Sequence, residues 1–157
     1  MTNSVPMTTR GFEMLKAELN QLKYHDRQRI VRDIEEAREH GDLSENAEYD
    51  EAKNAQGLLE ARIRDIEQKL AGARVIDTST LSGDKVVFGA TVTMENIDSG
   101  AEVIYRIVGA DEADAKRGLL SIESPVAQAL IGKHVGDLAR VRTPGGLREF
   151  EVTEVKF

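Results

Sequence analysis

Gly41-Asp42-Leu43-Ser44-Glu45-Asn46-Ala47-Glu48-Tyr49-Asp50-Glu51-Ala52-Lys53 lies between two long helical patterns, which makes it the turn of a helical hairpin. Five carboxylates (Asp42, Glu45, Glu48, Asp50 and Glu51) fall within it, with no positive charge between Asp42 and Glu51. Exposed like charges this close repel one another and add nothing to a core. A cluster that folding does not require is a candidate for work on a cation or a cationic partner.

On the N-terminal side, Pro6-Met7-Thr8-Thr9 reads as the opening of the first helix, with Thr8 or Thr9 as N-cap. Phe12, Leu15, Leu19 and Leu22 then recur as a coiled-coil seam. The seam lapses at His25 and Asp26 and resumes at Ile30, Ile34 and Ala37, a phase slip of the stutter kind. Gly41 ends the helix, after Arg38 and His40 in its last turn. The second helix is expected to run to about Ala73, its seam made by Ala52, Ala55, Leu59, Ile63, Ile66, Leu70 and Ala73. Arms of about 30 residues reach about 45 Å at 1.5 Å per residue. A dimerisation coiled coil or a plain spacer fits the same periodicity.

The 157 residues carry 21 basic and 28 acidic side chains, for a net charge of −7. Residues 1–79 hold 12 basic against 16 acidic and residues 80–157 hold 9 against 12, so neither half has the basic excess of an autonomous nucleic-acid binder. The absence of cysteine excludes disulfides and thiolate metal sites. No stretch approaches the ~18 apolar residues that span a bilayer, and the N-terminus lacks a secretory pattern. A soluble, cytoplasmic protein is expected. Lys23, Arg27, Arg29, Arg32 and Arg38 are interleaved with acids, which fits a solvated face of ion pairs or a strip against phosphates. His25, His40 and His134 have no second ligand at metal spacing and read as surface or capping residues.

After Gly72 the pattern changes, and Thr78 to Gly83 reads as a linker. Strands are expected at Val86–Met94, with a bend at Gly89, at Glu102–Val108 and at Leu119–Ile122. A short helix follows Pro125, capped by Ser124. A last hairpin joins Leu138–Arg142 to Glu149–Val155 across Thr143-Pro144-Gly145-Gly146. The fold class is therefore α+β: a helical hairpin over residues 1–77, then a mainly antiparallel sheet with one short helix over residues 78–157. The second part has no nucleophile–base pair, phosphate loop or metal-ligand spacing, and reads as a docking module.

Two readings of the turn stand side by side. Asp42-x-x-Glu45 has capping-box spacing, which accounts for two of the five acids. Alternatively, two carboxylates three residues apart at a turn supply part of an Mg²⁺ site, completed by groups held elsewhere.

Glu36 to Tyr49, followed by a second helix and by Val87-Phe88-Gly89-Ala90-Thr91-Val92, closely resembles the bacterial Gre transcript-cleavage factors. Tyr105-Arg106-Ile107-Val108-Gly109, Ser124-Pro125 and Thr143-Pro144-Gly145-Gly146 resemble the same family, GreA type in particular. The resemblance covers nearly the whole chain. It implies an antiparallel coiled coil, an FKBP-like second domain, and a monomer acting on RNA polymerase at the rim of its secondary channel. Asp42 and Glu45 would be supplied in trans to the polymerase, sharing an Mg²⁺ with its active site for endonucleolytic cleavage of backtracked RNA at the nascent 3′ end. Leu43, Ser44, Asn46, Glu48 and Tyr49 would shape the tip or touch polymerase. Arg38 and Lys53 would form a basic patch toward RNA, and Glu123, Ser124 and Pro125 a docking segment. The protein would itself be no enzyme. A channel-occupying inhibitor shares the architecture, and proline isomerisation is suggested by fold analogy alone.

Overall fold

The computed structural model describes residues 4–41 and 46–157. The chain divides into two units, Phe12–Gly72 and the remainder.

The first unit is the expected hairpin. Helix α1 (Thr9–Gln21) passes through a π-helical turn, Leu22–Asp26, into α2 (Arg27–Glu39), and α3 (Ala47–Ala71) returns. Ile30, Ile34, Ala52, Leu59 and Ile63 form the buried stripe, with Leu19, Leu22, Tyr49 and Ala55 packed against it. The phase slip seen in sequence is resolved by the π turn, in which the Arg27 amide donates to the Leu22 carbonyl, five residues back. Such a turn accommodates one extra residue relative to an α-helix. The eight-residue step from Leu22 to Ile30 thus acts as one heptad, and the seam keeps its face.

Cross-arm ion pairs set the register. Arg27 grips Glu60 in bidentate fashion, at 2.8 and 2.9 Å. Arg62 does the same to Glu18, at 3.0 and 3.1 Å, and also donates to Asp65 at 2.9 Å. Lys23 approaches Glu67 at 3.6 Å. The hydrogen bonds it donates to Glu60 also hold the Arg27 guanidinium above its ordinary pKa. These pairs are exposed and screened by water, so they contribute little to stability and their value is in alignment.

The second unit contains a five-stranded sheet whose strands lie side by side in the order Leu119–Ser121, Glu102–Val108, Thr91–Asn96, Gly146–Lys156, Leu138–Thr143. Its strands are β3 (Thr91–Asn96), β4 (Glu102–Val108), β5 (Leu119–Ser121), β6 (Leu138–Thr143) and β7 (Gly146–Lys156). Within this sheet the β4–β5 pair is parallel and the other pairs are antiparallel. Helix α4 (Pro125–Leu130) places Ala127 and Leu130 in a core with Val86, Ala90, Val92, Met94, Ile107, Ala139 and Val152. β6 and β7 meet across Pro144-Gly145, where Thr143 pairs with Gly146 and the Gly146 φ is +116°.

Three expectations change. Val5–Thr8, read as a helix opening, is strand β1, paired in parallel with β2 (Ala73–Ile76). Pro6 is compatible with both states, and only the distant partner decides between them. Thr8 still caps α1, accepting the Gly11 amide at 3.0 Å. The two units part at Gly11/Phe12 and Gly72/Ala73. Helix α3 ends at Ala71 instead of running to Ala73. Finally, Val86–Ala90 is not a regular strand. Gly89 turns at φ +89°, and the segment bonds to two separate partners: Val86 N to Lys133 O at 2.7 Å and Gly89 N to Ile107 O at 2.8 Å.

If the π turn exists to absorb one residue, deleting Tyr24 leaves a seven-residue heptad in plain α-helix. The far-UV circular dichroism melt should then stay within about 3 °C of the parent. Deleting Arg32 instead swings Ile34 and Ala37 off the seam by about 100°. That loss of burial should lower the midpoint by about 5–10 °C.

Candidate functional site

The end of the hairpin is organised by Asn46. Its side-chain oxygen accepts the Tyr49 amide at 3.1 Å, making it the N-cap of α3. Its side-chain amide donates to the Ala37 carbonyl at 2.6 Å, in the last turn of α2. One residue thus starts one helix and ties it to the end of the other. The capping position that the sequence offered to Asp42 belongs to Asn46. Asn directly before the acid-rich Ala47-Glu48-Tyr49-Asp50 is a signal that could have located it. On the other arm, Gly41 takes φ +104° after His40, and their amides bond to Arg38 O and Ala37 O. Asp42, Leu43, Ser44 and Glu45 lie outside the described residues.

The remaining residues assigned to the tip fall into different roles. Tyr49 is half-buried and packs on the apolar stripe, so it closes the hairpin core at this end. Glu48 and Asp50 occupy the first turn of α3, where the helix dipole favours negative charge. Glu48 also approaches His40 Nδ1 at 3.8 Å, across the two arms. Behind them is a recess of about 410 Å³ lined by Asp33, Glu36, His40, Glu48 and Glu51, with Ala37, Ala52 and Ala55 among its walls. The small alanines leave room between the helices, and the carboxylates make that room electronegative. Arg38 and Lys53 are both exposed, on opposite arms, and Lys53 donates to Gln56 at 3.0 Å. Among the described residues no group of three or more His, Cys, Asp or Glu converges in a way that could hold a metal ion.

The Glu123-Ser124-Pro125 segment sits in the other unit. Ser124 Oγ accepts the Ala127 amide at 3.2 Å and donates to Ser121 O at 2.7 Å, and Pro125 occupies the first helical turn. Ser124 therefore shapes the segment, while Glu123 and Pro125 are exposed. No helix of the described residues is long and apolar enough to cross a membrane.

Family models match both parts of the chain: "Transcription elongation factor, N-terminal" over residues 5–75 and "Transcription elongation factor, GreA/GreB, C-term" over residues 81–157. The chain belongs to the GreA/GreB family of transcription elongation factors. Among relatives named transcription elongation factor GreA, that of Methylococcus capsulatus is 54% identical over 156 residues, 99% of each chain. That of Ralstonia nicotianae is 56% identical over 156 residues, again 99% of each. One from a Psychrobacter species is 58% identical over 151 residues, 96% of each. The protein is accordingly a transcription elongation factor of the GreA type. A solved structure of GreA factor homolog 1 from Thermus thermophilus is 28% identical, covering 99% of this chain and 100% of that one, with a TM-score of 0.45.

The double role of Asn46 can be separated by substitution. Asn46→Asp keeps the acceptor for Tyr49 but loses the donor to Ala37, whereas Asn46→Ala loses both. Asn46→Ala should destabilise the start of α3 by about 1 kcal/mol. Hydrogen exchange should then show the Tyr49 amide losing protection in Asn46→Ala but not in Asn46→Asp.

Proposed function

We propose that the hairpin enters the secondary channel of RNA polymerase and brings Asp42 and Glu45 to its active centre. There the polymerase's own nuclease cuts backtracked RNA and frees an arrested complex. The observation that carries this reading is the double tie at Asn46. It holds together the two helix ends that flank Asp42-Leu43-Ser44-Glu45, at the far end of a hairpin with a single buried stripe. The protein acts as a cofactor in this reading, and the chemistry stays with the polymerase.

Mg²⁺ takes about six oxygens in near-octahedral geometry and is commonly held by one or two carboxylates with waters and phosphates. Asp42 and Glu45 fit a part-share in such an ion, with the other ligands on the polymerase and its RNA. When bound, the ion supplies Lewis-acid activation of a water or stabilisation of a leaving oxygen. The carboxylates of Asp33, Glu36, Glu48 and Glu51 raise the negative potential behind the tip and favour a cation over a second anion. Arg38 and Lys53, at the flanks, are the side chains suited to RNA phosphates. Glu123 and Pro125, exposed on the segment that Ser124 shapes, suit contact with the channel rim. A monomer working in the cytoplasm meets these needs.

Asp42→Asn and Glu45→Gln should each lower stimulated cleavage in a stalled, backtracked complex by about 100-fold, with competition for polymerase unchanged. Wild-type cleavage by both variants would remove the metal role. A parent protein that blocks RNA synthesis without promoting cleavage would instead make it a channel-occupying inhibitor.

A further inference from the structure

The main sheet turns one face to its core and leaves the other outside. Along β4, Val103, Tyr105 and Ile107 belong to the core side, so Ile104 and Arg106 stand on the opposite face. Arg106 lies beside Thr91 on β3 and Leu119 on β5, and Ile104 lies beside Thr93. Ile104 is 55% exposed, a large aliphatic side chain open to water. Arg106 is half-buried, and its Nε is sealed from solvent with no hydrogen-bond partner among the described residues. The guanidinium groups of Arg27 and Arg62 differ in this respect, since each meets a carboxylate. A buried donor left without an acceptor costs free energy, and a charged one costs more. An apolar residue of similar size would serve folding better at this position.

We propose, resting on the function above, that Ile104 and Arg106 form a docking patch for the rim of the polymerase channel, with Arg106 receiving a carboxylate of the polymerase. Two features select that occupant. Charge complementarity is the first: an unpaired, partly desolvated guanidinium suits a carboxylate, and its planar fork gives the contact a fixed geometry. A nucleic-acid backbone calls for several cations together, whereas Glu95, Glu102 and Glu154 lie on this same face. Continuity is the second. Leu119, beside Arg106, shares a short strand with Ser121, whose carbonyl accepts the Ser124 hydroxyl of the Glu123-Ser124-Pro125 segment. Leu119 to Ser121 spans only about 7 Å, so the patch adjoins that segment within one unit. Arginine and apolar side chains are also the residues that interface centres favour.

The test displaces dye-labelled parent protein from bacterial RNA polymerase with unlabelled variants, alongside cleavage in the backtracked complex. Arg106→Met keeps the stem and removes the charge, Arg106→Glu reverses it, and Ile104→Gln removes the apolar contact. Arg140→Met is the control, an arginine of the same face already paired with Glu149 at 3.2 Å. Arg106→Met should weaken displacement by about tenfold and Ile104→Gln by about threefold. Arg106→Glu should weaken it by about 100-fold, because a carboxylate would then face a carboxylate. Arg140→Met should match the parent. Cleavage at saturating protein should stay within about twofold for all four, since the tip is untouched. Arg106→Met should melt no lower than the parent, because it removes an orphaned donor. Parent-like displacement by Arg106→Met would overturn the proposal, and equal weakening by Arg106→Met and Arg106→Glu would overturn the acidic partner. A melting midpoint that falls in step with binding would also overturn it, by reducing Arg106 to a folding role. So would binding of single-stranded RNA alone that Arg106→Met abolishes, which would make the patch a nucleic-acid site. A parent protein that fails to bind polymerase would sink the proposed function, and this patch with it.

Discussion

A two-helix hairpin has one stripe to bury, and this constraint governs most of what surrounds it. With no third element to correct an error, any drift of that stripe around either helix exposes apolar surface along the rest of the arm. The π turn at Leu22–Asp26 answers that constraint by taking up a surplus residue before it can rotate Ile30, Ile34 and Ala37 away from α3. The pairs Arg27–Glu60 and Arg62–Glu18 answer it along the axis: their energies are small, but a shifted register would break both forks at once. Asn46 closes the arrangement at the far end.

The globular unit meets a different demand, since it must hold segments from both ends of the sequence. It does so where backbone approaches backbone, at β1 against β2 and at Pro6 O against Gly109. Glycine at residues 11 and 109 serves close approach, with no left-handed conformation involved. The main sheet is conventional by comparison, with α4 covering a core of medium-sized aliphatic side chains.

Much of this was legible in sequence because the relevant signals are local. Glu102–Val108 alternates well enough to give β4 its observed bounds, Ser124-Pro125 marks the start of α4, and the seam spacings mark both arms. What escaped depends on partners far along the chain. Val5–Thr8 looks like a helix entry until Ala73–Ile76 is placed beside it, and Val86–Ala90 looks like a strand until its carbonyls and amides are followed to separate partners. The cap of α3 was missed because Asp42-x-x-Glu45 offers a capping box four residues too early. The roles proposed for Asp42 and Glu45 rest on family resemblance, since two acids in a turn do not by themselves distinguish a cap from a ligand pair.

The parallel pairing of Val5–Thr8 with Ala73–Ile76 also bears on the order in which the chain assembles. The hairpin is an insertion within the globular unit, so that unit is discontinuous in sequence. Joining its two parts across a disordered insertion would carry the full entropy of closing a long loop. A helical hairpin forms from nearby contacts and is fast for that reason. Once zipped, it brings its own ends close together and turns a long-range encounter into a short-range one. The arm then acts as a folding splint for the unit that carries it.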